Sequence, residues 1–160
     1  MSRISKTVKV LAAAGASALT IAVSMVKPFE GQENVPYYDV VGVLTVCFGH
    51  TGPDIVEGKV YTQQECQSLL EQDLLAVKHQ VDPLIPPTIP DTTRAALYSF
   101  TFNVGVGAFK RSTLLKRLNA GDLVGACNEL KRWVYAGGKK WNGLINRRQV
   151  EEEVCKLHPP

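Results

Sequence analysis

The chain has no long Lys/Arg run, no zinc-ligand spacing and no aromatic RNA-binding strand signature, and these absences set nucleic acid aside as a partner. Cysteine is scarce: four residues, at 47, 66, 127 and 155. The nearest pair, Cys47 and Cys66, is too widely spaced for a metal-binding pattern. No internal repeat is visible. Excess charge of one sign is also lacking, since the net charge is only +3. That mild basicity suits an anionic wall or membrane surface, and equally an ordinary domain. What is present is 45% hydrophobic residues over 160 positions, enough for one compact body in two lobes.

Long apolar runs are missing but for one. Arg3, Lys6 and Lys9 precede an uncharged stretch at 10–26, closed by Lys27. As one helix it spans about 25 Å, short of the roughly 30 Å hydrocarbon core. Flanking lysines can snorkel to cover the difference. The stretch is Ala-rich, with Gly15, Ser17, Thr20 and Ser24 mixed in. Its strong apolar residues give at most about 2–4 kcal/mol towards insertion. The basic N-terminal flank places the N-terminus in the cytoplasm and the body outside. Three readings stay open: a cleaved signal peptide, with small-x-small sites at Ala16-Ser17-Ala18 and Ala22-Val23-Ser24; a permanent anchor; and an anchor that leaves the membrane. Export makes two disulfides plausible, against buried free thiols. Four cysteines allow three connectivities, and locality favours Cys47–Cys66 with Cys127–Cys155.

Beyond the anchor, Phe29-Glu30-Gly31 reads as a short loop. Residues 37–40 and 43–48 read as a hairpin turning at Val41-Gly42. Thr62 with Glu65 is a capping-box pattern opening a helix to about Val81. Pro83, Pro86, Pro87 and Pro90 form a connector to a helical lobe. There, Asp91 caps a helix towards Gly105, Ser112 a short one, and Asp122 a helix over 123–134 that Gly137-Gly138 stops. A last helix at about 144–157 pairs Arg147 and Arg148 with Glu151 and Glu152. The expected fold is α+β, mostly helical, with a small N-terminal hairpin lobe and a larger helical one. The division is an anchor unit at 1–26 and a catalytic domain at 27–160.

One acidic pair looks purposeful. Glu30 sits beside Phe29, and Asp39 lies in the hairpin with Thr45 on its second strand. Glycoside hydrolysis needs one carboxyl that keeps its proton and one that stays ionised. Apolar surroundings raise a carboxyl pKa, which suits Glu30 as the acid. On spacing alone, any exposed Glu and hairpin Asp look the same.

The succession Phe29-Glu30-Gly31, Asp39, Thr45 and Gly49-His50-Thr51 resembles the catalytic signature of the phage-type lysozymes. Ala96-Leu97-Tyr98-Ser99-Phe100, Phe102-Asn103-Val104-Gly105, Ser112-Thr113-Leu114-Leu115, Arg132-Trp133 and Gly143-Leu144 with Arg147-Arg148 and Glu151 continue it. With the Ala/Gly-rich anchor, the chain is similar to the signal-anchor-release endolysins of lambdoid phages. The resemblance implies a lysozyme-like fold and hydrolysis of the β-1,4 bond between N-acetylmuramic acid and N-acetylglucosamine. Glu30 would be the general acid, Asp39 the assisting carboxylate and Thr45 the water-positioning hydroxyl. No metal or cofactor is implied. The implied partners are host peptidoglycan, the inner membrane, the secretion machinery and a holin or pinholin, with a monomer on release. The catalytic body would lie in the periplasm. Cys47-Phe48 departs from the Gly-Tyr of many relatives and marks a disulfide. The anchor has no cysteine, so activation by thiol exchange from it is unavailable.

His50, Asn103 and Arg148 are further substrate-cleft candidates. Beside that stand plainer readings: a hairpin-orienting His50, a helix-end Asn103 and an ion-paired Arg148. Trp133, Tyr135 and Trp141 read as packing residues. An anchored form is expected to be inactive, because Glu30 lies only about 10 Å of extended chain beyond Lys27.

Overall fold

The computed structural model describes residues 1–157. The apolar run does not form one helix. It breaks into α1 (Lys6–Ala13) and α2 (Ala18–Glu30). Gly15 takes a left-handed φ of +72°, and Ser17 caps α2 by accepting from Thr20 N–H at 3.2 Å. Both are polar or small residues that also weaken the run as a membrane span. No helix among the described residues is long and apolar enough to cross a membrane.

In place of lipid, α2 faces protein. Ala18, Ile21, Ala22, Met25 and Val26 recur at helical intervals and are buried. Their partners are α4 (Asp91–Val104) and α3 (Gln63–Val81). The division expected at residue 26 therefore falls inside a continuous helix, which runs through Pro28 to end at Glu30. The expected Phe29-Glu30-Gly31 loop is the last turn of α2, and Gly31 ends it at φ +64°.

A three-stranded antiparallel sheet follows, from β1 (Glu33–Tyr38), β2 (Leu44–Cys47) and β3 (His50–Thr51). The turn at 39–43 is where the sequence places it. Thr62 and Glu65 complete the capping box of α3, with bonds of 2.8 and 3.1 Å. Cys47–Cys66 bonds β2 to α3.

The helical lobe is built around α4, in which Ala95, Ala96, Leu97, Tyr98 and Phe100 are wholly buried. Asp91 is the first helical residue rather than its cap, a position taken by Pro90. An unexpected short helix α5 (Val106–Arg111) precedes α6 (Thr113–Asn119), which Ser112 caps at 3.1 Å. Asp122 caps α7 (Leu123–Glu129), which ends earlier than expected in a 3₁₀ turn. Gly137-Gly138 does not stop a helix. Both glycines have positive φ and form the turn between β4 (Tyr135–Ala136) and β5 (Lys139–Lys140). The chain closes with α8 (Asn142–Cys155), bonded to α7 by Cys127–Cys155.

Candidate active site

The path of α2 puts the Glu30 carboxylate over the start of α8. Arg147 Nη1 donates to Glu30 Oε1 at 2.7 Å. The Arg147 guanidinium lies 5.0 Å from the centre of the Phe29 ring. An apolar surround for Glu30 is thus only partly realised, because a cation covers the neighbouring ring. The other oxygen, Oε2, looks towards Gly49, where an added Cβ would come within 3.5 Å of it. Glu30 and Asn103 divide two grooves. One, of about 600 Å³, also carries Phe29, Trp141 and Arg147. The other, of about 380 Å³, carries Gly49, Thr51, Asp73 and Phe102.

Asp39 and Thr45 share the β1–β2 hairpin but line neither groove. Asp39 Oδ1 accepts the N–H groups of Val41 and Val43 at 2.9 and 2.8 Å, which folds the turn. The Val43 carbonyl accepts both the Asp39 N–H at 2.9 Å and the Thr45 hydroxyl at 3.0 Å. One peptide unit therefore fixes both residues relative to each other.

Behind Glu30 lies a buried ionic network that the sequence shows only locally. Arg147 Nε donates to Glu151 Oε1 at 3.1 Å, and its Nη2 to the Ser99 carbonyl at 3.0 Å. Arg148 Nη1 donates to Glu151 Oε2 at 2.7 Å, and Ser99 Oγ to Glu151 Oε1 at 2.8 Å. Arg148 is 1% exposed. It is a buried brace, not a cleft wall, and it reaches the grooves only through its bond to Asn103. Arg147, read from sequence as a helix ion pair alone, is the residue that touches Glu30. The helix spacing signals its bond to Glu151 and carries no hint of a partner 117 positions away.

His50 is likewise a structural clasp in the folded chain. Its Nδ1 meets Asp73 on α3 at 2.9 Å and its Nε2 meets Asp54 at 3.0 Å, so both ring nitrogens are occupied. Burial opposes a charged ring, but the hydrogen bonds to Asp54 and Asp73 outweigh it and raise the His50 pKa above 6.5. A raised histidine pKa stabilises the fold fully below the unfolded value, and that contribution is lost as pH rises through the folded value. The melting temperature is therefore expected to fall as pH goes from about 6 to about 9. His50→Gln should flatten that slope, and thermal melts of the two proteins across this range check it. An unchanged slope would remove His50 as the cause.

The aromatic residues divide. Trp133 packs edge-on against Phe100 at 5.2 Å, as a packing residue should. Tyr135 and Trp141 are 62% and 48% exposed. Trp141 is held by a bond to the Ala136 carbonyl at 3.0 Å and forms part of the larger groove beside Glu30.

A mostly helical body with a small hairpin sheet, and a carboxylate between two grooves, defines a lysozyme-like glycosidase. The family model for phage lysozyme matches residues 27–151, and the chain belongs to that family. It is 60% identical to the SAR-endolysin of Bacteriophage PS119 over 79% of this chain and 75% of that one. It is 51% identical to the SAR-endolysin of Enterobacteria phage P21, over 91% and 92% of the two chains. The muramidase domain of SpmX from Asticaccaulis excentricus superposes with a TM-score of 0.78 at 29% identity, covering 86% of this chain and 95% of that one. The protein is a phage-type muramidase, as its sequence motifs lead one to expect.

Proposed function

We propose that this muramidase cleaves the β-1,4 bond between N-acetylmuramic acid and N-acetylglucosamine in host peptidoglycan, and that it does so only after α2 leaves the inner membrane. Glu30 protonates the leaving oxygen. Asp39 and Thr45 hold and assist the water that attacks the sugar from the opposite face, with inversion. Peptidoglycan is the substrate, and a holin or pinholin that collapses the membrane potential is the functional partner. The released enzyme works in the periplasm as a monomer.

The observation that carries this reading is that the second half of the apolar segment and Glu30 belong to one helix, α2. With α2 in a bilayer, its apolar face cannot lie on α4, and Glu30 cannot reach Arg147. Release then assembles the site. Cleavage fits less well, since cutting after Ala18 or Ser24 would remove buried residues of the body.

Magnitudes favour a poised equilibrium. Burying Ile21, Val23, Met25 and Val26 contributes about 1.5–3 kcal/mol each, or roughly 6–12 kcal/mol. The bilayer offers the segment at most about 2–4 kcal/mol. Moving Arg3, Lys6 and Lys9 outward against about 100 mV, inside negative, costs about 2.3 kcal/mol each, near 7 in all. The two sides are of similar size, so the potential decides which holds the segment.

Two measurements test the proposal. Collapsing the potential should shift the intact chain, N-terminal residues included, from membrane to soluble fraction, and wall hydrolysis should rise with it. A soluble form sequenced from beyond Ser24, or equal hydrolysis by the tethered form, would sink the release step. Mass spectrometry of digested peptidoglycan should find reducing N-acetylmuramic ends. Anhydro ends would instead mean a lytic transglycosylase.

A further inference from the structure

The extreme N-terminus converges on one side chain of α8. Ser2 Oγ donates to Glu153 Oε2 at 2.7 Å. The backbone N–H of Arg3 donates to Oε1 at 3.2 Å, and that of Ile4 to Oε2 at 3.3 Å. Arg3 Nη1 donates to Asn146 at 3.1 Å, and Asn146 shares the face of α8 that carries Glu153. The Ile4 side chain is buried, and Ser5 caps α1 directly behind it. The adjacent Glu152 is bonded to Lys156 at 2.8 Å, so Glu153 is the carboxylate left to the N-terminal residues.

In the anchored state these groups lie on opposite sides of the bilayer from α8. Their contact therefore forms only after Arg3, Lys6 and Lys9 have crossed. We propose that Glu153 is a latch for residues Ser2–Ile4, which captures the emerged N-terminus and opposes its return to the membrane. The inference rests on the release reading above. Two of the three donors are backbone N–H groups, so the latch recognises the arrival of the chain end rather than a particular side chain. Glu153 lines neither groove around Glu30, so catalysis does not depend on it. An ionised acceptor makes each bond stronger than a neutral one, and the buried Ile4 holds the donors in register.

The test uses the full chain, as wild type, Glu153→Ala and Glu152→Ala. On released protein, hydrogen exchange of the Arg3 and Ile4 amides should quicken about tenfold in Glu153→Ala, with wall hydrolysis unchanged. In vesicles whose potential is collapsed and then restored, Glu153→Ala should return to the membrane several-fold more than wild type, while Glu152→Ala behaves as wild type. Equal exchange in the two proteins would show that the contact does not hold the N-terminus. Faster exchange with an unchanged membrane return would reduce Glu153 to a structural contact, and either result overturns the latch. A wild-type soluble form that begins beyond Ile4 would overturn the release reading itself, and the latch with it.

Discussion

Glu30→Gln is expected to lower peptidoglycan hydrolysis by about 10²–10⁴-fold, the usual contribution of a positioned general acid. The substitution keeps the shape of the side chain and an oxygen that can accept from Arg147 Nη1. What it removes is the transferable proton. Arg147 keeps Glu151 and the Ser99 carbonyl as partners, so the folded structure should survive. The measurement is turbidity loss of purified cell walls, paired with a thermal melt to show that the variant is folded. A folded Glu30→Gln protein with more than about a tenth of the wild-type rate would remove Glu30 from the role of acid.

Glu151→Ala should have the largest effect on stability. Glu151 is wholly buried and takes hydrogen bonds from Arg147, Arg148 and Ser99. Burial pulls the Arg148 pKa down, and Glu151 is the charge that opposes this. Without it, Arg148 is left in the interior with no carboxylate partner, and Arg147 keeps only Glu30. Breaking a buried pair by removing one partner costs about 3–5 kcal/mol, a large part of the roughly 5–15 kcal/mol that holds a domain together. The melting temperature should drop by about 6–20 °C for a chain of this size. Activity at low temperature should fall as well, because Arg147 loses the bond that aims it at Glu30. Glu151→Gln, which keeps an acceptor, should be milder. A Glu151→Ala protein within about 1 kcal/mol of wild type in urea would show that the network carries little.

The sequence was readable wherever the signal is local. Thr62 with Glu65, Ser112, and the turn after Asp39 each announce themselves within a few residues, and each is where it was expected. Locality also picked the two disulfides. Reading failed where one local signal has two structural uses. Gly137-Gly138 can end a helix or turn a hairpin, and the pairing of Tyr135 with Lys140 decides for the hairpin. Gly105 reads as a helix stop, which it is, but a new helix begins at the next residue. The apolar run at 10–26 reads as one helix from its composition, but in the folded body it is divided between α1 and α2, because Gly15 and Ser17 break it. Long-range partners were out of reach: nothing near Arg147 points to Glu30, and nothing near His50 points to Asp73. Of the site itself, the motifs supplied the candidates Glu30, Asp39 and Thr45. The grooves, the contact of Arg147 with Glu30 and the exposure of Trp141 came only with the fold.

The route of α2 also limits how this protein can change over time. Under the release proposed above, each position on its inner face must be acceptable to two neighbours, acyl chains first and α4 afterwards. Ala22 has no exposed surface in the folded body. A larger apolar residue there would deepen the hold of the membrane and at the same time overfill the core, an overpacking that typically costs about 1–3 kcal/mol. A polar one would ease departure and weaken the body it must join. Under that reading the composition of this helix sets a schedule as well as a shape.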